Sequence, residues 1–245
     1  MSEFNISSKK VSEIVEKYEV KTNERKLKKF FKTFAFYALV LMSVYHFYAS
    51  GFGTIRAILH RGIHISFVVS VVFIFYNWKK IDKDTKNFEI LYLDIIFFIL
   101  TIITALYLPL LPPEILAPRV GNPTNMEIFM GSILIVLTLE AARRSIGFTL
   151  PLICLFFILF AIFGPYFPGA LKHGGASWVG FVNHIYITNQ GIYGIAVGVM
   201  AQYVFLFILF GVLATRIGLG QLFIDIAMVI AGKYSGGPAK VAIFS

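Results

Sequence analysis

Six windows of predominantly apolar residues constrain this chain more than anything else in it: Thr33–Ser50, Gly62–Trp78, Phe88–Leu108, Met126–Ala141, Ile146–Phe163 and Ile192–Leu213. A helix rises about 1.5 Å per residue, so a run of about 20 apolar residues crosses the roughly 30 Å of hydrocarbon in a bilayer. Inside lipid every backbone N–H and C=O needs a partner within the protein, which makes such runs helices rather than open strands. None alternates as a barrel strand does. The expected architecture is an all-α polytopic membrane protein with six transmembrane helices and additional interfacial helices.

Composition agrees. The chain is 58% apolar and 14% charged, with 26 Phe and a mean hydropathy of +0.78, against about 45–50% and about 25% for a soluble domain. A net charge of +9 could suggest a nucleic-acid partner, but the distribution of the cations argues for a bilayer instead. With the N-terminus on the cytoplasmic side, 18 of the 22 Lys and Arg fall inside, and only Arg56, Arg61, Arg119 and Lys172 fall outside. That asymmetry is the positive-inside pattern and accounts for the basic balance without nucleic acid. Cys154 is the one cysteine, inside LPLICLFFILF, so no internal disulfide can form, and a small buried hydrophobe is its expected role.

Residues 1–32 form a basic cytoplasmic segment, too long in its charged part for a cleaved signal peptide. Val11, Ile14, Val15 and Tyr18 share one helical face, which suits a helix on the membrane surface with its lysines toward anionic lipid. A disordered basic tail is the alternative reading. Two further segments are not expected to span. In SWVGFVNHIYITNQG, Ser177 is a plausible N-cap, and Trp178, Phe181, Val182 and Ile185 share a face, as in a helix on the outer surface. Gln221–Lys233 is too short in its apolar part, carries Asp225, and should lie along or dip into the inner face.

Few residues carry chemistry. His60 and His64 are four apart on one helix face, and His46 near the end of the first span can approach them. The spacing suits a metal, but no Glu follows the first His as a zinc hydrolase needs, so interfacial polar residues are the competing reading and no metal is assigned. Asp94 is the one carboxylate well inside a span; an ion or proton relay and a polar interhelical contact, or a carboxylate snorkelling near Lys86, are both open. Glu140 with Arg143 and Arg144 closes the fourth span in i, i+3 and i, i+4 pairs, read as topological anchoring. Gly194 and Gly198 form G-x-x-x-G, a packing feature. The sequence contains no G-x-x-x-x-G-K-[ST] loop and no credible catalytic triad, so no bound cofactor and no enzymatic activity are expected.

From Leu139 onward the chain resembles the fused permeases of the tripartite ATP-independent periplasmic (TRAP) transporters. The resemblance is carried by LEAARRSIGFTLPLICLFFILFAIFGPYFPG, then GIYG, FLFILFG and GGPAKVA. It is greatest for the branch that works with a TAXI-type periplasmic binding protein. The N-terminal 138 residues match in layout only, with residues 33–142 as a four-helix small-subunit-like domain. Residues 143–245 would then begin the large permease domain, with Gly236, Gly237 and Pro238 as structural punctuation before a re-entrant hairpin. That resemblance implies an N-terminal fragment, with the substrate site expected beyond Ser245. It also implies Na+ as coupling ion, a small organic anion as substrate, and the cytoplasmic membrane of a bacterium or archaeon. The alternative function is a non-transporting polytopic sensor or scaffold module.

Overall fold

A computed structural model of the chain describes residues 24–25, 27–53, 56–79 and 92–231. The amphipathic face at Val11–Tyr18, Lys86 and the glycines of GGPAKVA lie outside the described residues. Helix α1 spans Lys29–Phe52, α2 Ala57–Phe75 and α3 Tyr92–Leu110. A short α4, Pro113–Leu116, leads through a 3-10 turn to α5, Asn125–Ser145. Then come α6, Thr149–Ile162, and α7, Trp178–Val182, which runs on into a π-helical turn, Asn183–Ile187. Helix α8, Ile195–Arg216, and α9, Leu219–Ala231, complete the described chain. Among the described residues there is no β-strand beyond an isolated Glu24–Tyr76 bridge.

Among the described residues, five helices (α1, α2, α3, α5 and α8) are long and apolar enough to cross a membrane. The described chain is therefore all-helical and multi-pass. The fifth expected window is shorter than read from the sequence. Its helix, α6, has 14 residues and covers only about 21 Å. Gly147, at φ +106°, breaks the chain before it, and Gly164–Pro165 begins a 3-10 turn after it. Helix α2 starts at Ala57 rather than Gly62, which brings His60 and Arg61 into the helix proper.

Helix α2 is the centre of the bundle, packed along α3 and touching α1, α5 and α8. Gly62 allows the close approach to α3. A Cβ there would stand 2.5 Å from Pro109 Cγ and 3.0 Å from the Ala105 carbonyl oxygen. Pro109 lies inside α3 and has no N–H, so the Ala105 carbonyl four residues back loses its helical donor. In lipid such a group must find another partner. The Tyr193 hydroxyl supplies it at 2.9 Å, and the Tyr186 hydroxyl donates to the neighbouring Thr104 carbonyl at 2.7 Å.

Those two tyrosines change the reading of SWVGFVNHIYITNQG. Ser177 does cap α7, accepting from the Gly180 N–H at 3.1 Å. The segment is not confined to a surface, however, because Val182, Tyr186 and Ile187 are buried against Leu108, Leu134 and Ile135. A face read as interfacial from Trp and Asn turns inward once a proline in α3 leaves a carbonyl to be satisfied. Elsewhere large apolar side chains point outward, Phe156 and Phe157 on α6 and Phe207 and Phe210 on α8 among them, as suits lipid contact.

Gly131 of α5 sits under Val182 and Tyr186, and a Cβ would come within 2.6 Å of Val182 Cγ1 and 2.8 Å of Tyr186 Cγ. Gly131→Val should therefore lower stability by about 1–3 kcal/mol, the usual cost of overpacking. Gly211→Ala, where nothing lies within 4 Å, should not. Thermal unfolding of the purified protein in detergent measures both, and equal midpoints would show that the segment does not dock on Gly131.

Candidate functional site

Polar groups inside the apolar bundle gather at three levels. One lies at the end where α1 begins, α2 ends, α3 begins and α5 ends. Asp94, in the first turn of α3, is buried there between two arginines. Arg25 donates from Nη2 at 2.5 Å and Arg144 from Nη1 at 2.6 Å. Arg144 Nε also donates to Glu140 Oε1 at 2.7 Å, and Arg143 grips Glu140 through Nε and Nη2 at 2.7 and 2.8 Å. The guanidinium of Arg144 lies over the rings of Phe73, Phe97 and Trp78. Arg25 adds a bond from Nε to Asn77 Oδ1, and its backbone N–H donates to the Phe75 carbonyl.

The LEAARRS residues thus do more than anchor a helix end. Glu140, Arg143 and Arg144 form one charged group with Asp94, an interhelical contact. Sequence reasoning treated Arg25 as one cation among many. Its partner is 69 residues away, and nothing local in KTNERKLKK marks it out.

The second level lies toward the opposite end, between α1, α2 and α8. His46, His60 and His64 do come together there. His46 Nε2 stands 2.9 Å from His64 Nδ1, and its Nδ1 donates to the Met42 carbonyl at 2.8 Å. The Tyr45 hydroxyl is 3.1 Å from His60 Nδ1, and the Phe205 ring centroid is 4.5 Å from that of His46. A cavity of about 300 Å3 opens beside them, lined by His46, Ser50, His60, Gln202 and Tyr203 among others. Among the described residues no group of three His, Cys, Asp or Glu is arranged to hold a metal ion.

At the far end, arginines and tyrosines cap carbonyls. Arg56 donates to the Leu111 and Pro109 carbonyls at 2.7 and 2.9 Å, closing the C-terminus of α3. Arg61 donates from Nη1 to the Tyr193 carbonyl at 2.7 Å and lies across Gly198, where a Cβ would be 2.9 Å from its Nε. Gly198 therefore makes room for an arginine, whereas Gly194 fits against the Gly191 carbonyl in the turn before α8. Burial pushes the Tyr186 phenol above its ordinary range, so it keeps the proton it donates. Thr124 and Glu127 make the capping box of α5, which TNME announces and the sequence reading passed over. Asp225 accepts from Gln221 on exposed α9, and Cys154 is a free, half-buried thiol.

The span that joins these levels to a known family begins within α5. Residues 133–245 match the family of the tripartite ATP-independent periplasmic transporter, DctM component. The matched span contains Glu140, Arg143, Arg144, Gly194 and Gly198, and also Gly236, Gly237 and Pro238. Comparison with curated proteins and with solved structures gave no match. The family is one of transporters rather than enzymes.

Because Asp94 is held by cations on two other segments, Asp94→Asn should destabilise the protein by about 3–5 kcal/mol, the cost of leaving a buried partner charge uncompensated. Asp225→Asn, on an exposed face, should change the unfolding midpoint little. Equal small effects in detergent would mean that Asp94 is not the organising charge of this end.

Proposed function

We propose that the chain is the permease part of a secondary TRAP transporter of the fused, TAXI-associated type. In this reading it imports a small organic anion, handed over by a periplasmic binding protein, with Na+ as the coupling ion. The observation that carries the reading is the DctM match over 133–245, laid on a multi-pass helical chain. The absence of a phosphate-binding loop from the sequence is in keeping with transport powered by an ion gradient. The buried tyrosine and arginine caps suit a part of the protein that stays rigid while another part moves.

The cytoplasmic membrane of a bacterium or archaeon is the proposed location, with the N-terminus inside. The cations at the Asp94 end support it, since Lys28, Lys29, Lys32, Lys79, Arg143 and Arg144 all cluster there.

Two measurements test the proposal. In proteoliposomes holding the protein, an organic anion should accumulate only when both a TAXI-type binding protein and an inward Na+ gradient are present. Accumulation that ignores the gradient would remove the coupling ion, and none under any gradient would remove the transporter. For orientation, single cysteines at Lys83 and Lys172 in a Cys154→Ala background should differ toward an impermeant maleimide in intact cells. Labelling should occur at Lys172 and fail at Lys83; the reverse pattern would invert the topology.

A further inference from the structure

We propose that the histidine cavity between α1, α2 and α8 is a proton-binding site, and that its occupancy decides whether α1 stays docked on the bundle. The inference does not depend on what the protein transports.

Helix α1 is lightly held. Its buried residues are Ala35, Met42, His46 and Ala49, and His46 alone of these makes a side-chain hydrogen bond to another helix. The positions of the protons on that bond follow from its partners. A carbonyl only accepts, so His46 Nδ1 must carry the hydrogen given to Met42 O. In a neutral His46 ring Nε2 is then bare, and the hydrogen of the 2.9 Å contact belongs to His64 Nδ1. His64 Nε2 is left as the one ring nitrogen of the pair that neither carries a hydrogen nor accepts one within the bridge. A first proton settles there and leaves the bridge intact. A second can go only to His46 Nε2, where it meets the N–H of His64 head-on, and the bridge must part.

The neighbouring pair behaves differently. The Tyr45 hydroxyl can donate to a bare His60 Nδ1 or accept from a protonated one, so that 3.1 Å contact survives either state. The His46–His64 bridge is therefore the element that responds.

Three features of the surroundings shape this response. The cavity of about 300 Å3 brings room for water to His46 and His60, at about 30 Å3 per molecule. Helix α8 widens into a π-helical stretch, Met200–Val204, where Ala201, Gln202 and Tyr203 line the cavity; such interruptions often sit at functional positions. No carboxylate occurs in the sequences of α1, α2 or α8. The titratable and charged groups around the bridge are Tyr45 on α1, His60 and Arg61 on α2, and Tyr203 on α8. With no acid on these helices, a doubly protonated pair adds to the charge of Arg61 and pushes α1 away from α2 and α8.

The test is a distance between α1 and α8. Spin labels at Val44→Cys and Ile208→Cys, both on outward faces, are placed in a Cys154→Ala chain reconstituted in nanodiscs. Pulsed dipolar spectroscopy at pH 8 should give one short distance, and at pH 5 a second, longer population. His64→Gln should abolish that second population, because an amide can donate to His46 when it is bare and accept from it when it is protonated. A distance independent of pH in the parent, or the same pH response in His64→Gln, overturns the proposal. If the variant does not fold, 15N spectra of labelled histidines decide it. Imidazoles that all stay neutral at pH 5 refute the site, and two protonated rings in place of one bridged pair support it.

Discussion

Asp94 is where the chain's separate segments are tied into one end of a bundle. It sits on α3, and the arginines it accepts from lie before α1 and at the end of α5. The tail of α2 is drawn in as well, because Arg25 also bonds Asn77 and the Phe75 carbonyl. A carboxylate in hydrocarbon costs roughly 2.5–3.5 kcal/mol on insertion scales. Two guanidinium partners within hydrogen-bond distance turn that cost into an attachment point. The rings of Phe73 and Phe97 cover the Arg144 guanidinium.

The other end is held by a different device. There the needy groups are backbone carbonyls, made available by Pro109 and by the end of α3. Arg56, Tyr186 and Tyr193 satisfy them from three parts of the chain, while Arg61 does the same for the turn that precedes α8. One end is thus closed by charge pairs and the other by neutral or singly charged donors on carbonyls. Between them lies the histidine cavity, lined by α1, α2 and α8.

Much of this architecture was legible in the sequence. Length and hydropathy located α1, α2, α3, α5 and α8 to within a few residues, since a helix in lipid leaves no alternative for a long apolar run. The approach of His46 to His60 and His64 was legible too, because the turn between α1 and α2 is short. Three things were not legible, and each has a reason. The fifth window looked long enough because composition alone does not show that Gly147 takes a positive φ. The burial of Tyr186 depends on a proline some 77 residues earlier in sequence, by the numbering of Pro109 and Tyr186. Arg25 was hidden for the same reason: in a chain whose helices are apolar on every face, periodicity does not say which face meets a neighbour.

That last point bears on how the matched region relates to what precedes it. The DctM match begins at residue 133, inside α5. The contacts cross that position. Arg144 is bound to Asp94 on α3, Tyr186 and Tyr193 fill carbonyls of α3, and Arg61 of α2 rests on Gly198 of α8. A segment that satisfies another segment's carbonyls inside lipid cannot be withdrawn without leaving those carbonyls bare, at a cost of several kcal/mol for each unsatisfied group. Residues 57–75, 92–145 and 178–198 must therefore move together if they move at all. The apolar faces of α6 and α9 remain outward, as does much of α8. Motion within this part of the protein is accordingly expected at α1, whose side-chain hydrogen bonds to α2 among the described residues, His46–His64 and Tyr45–His60, both end on imidazoles, rather than at the position where the match begins.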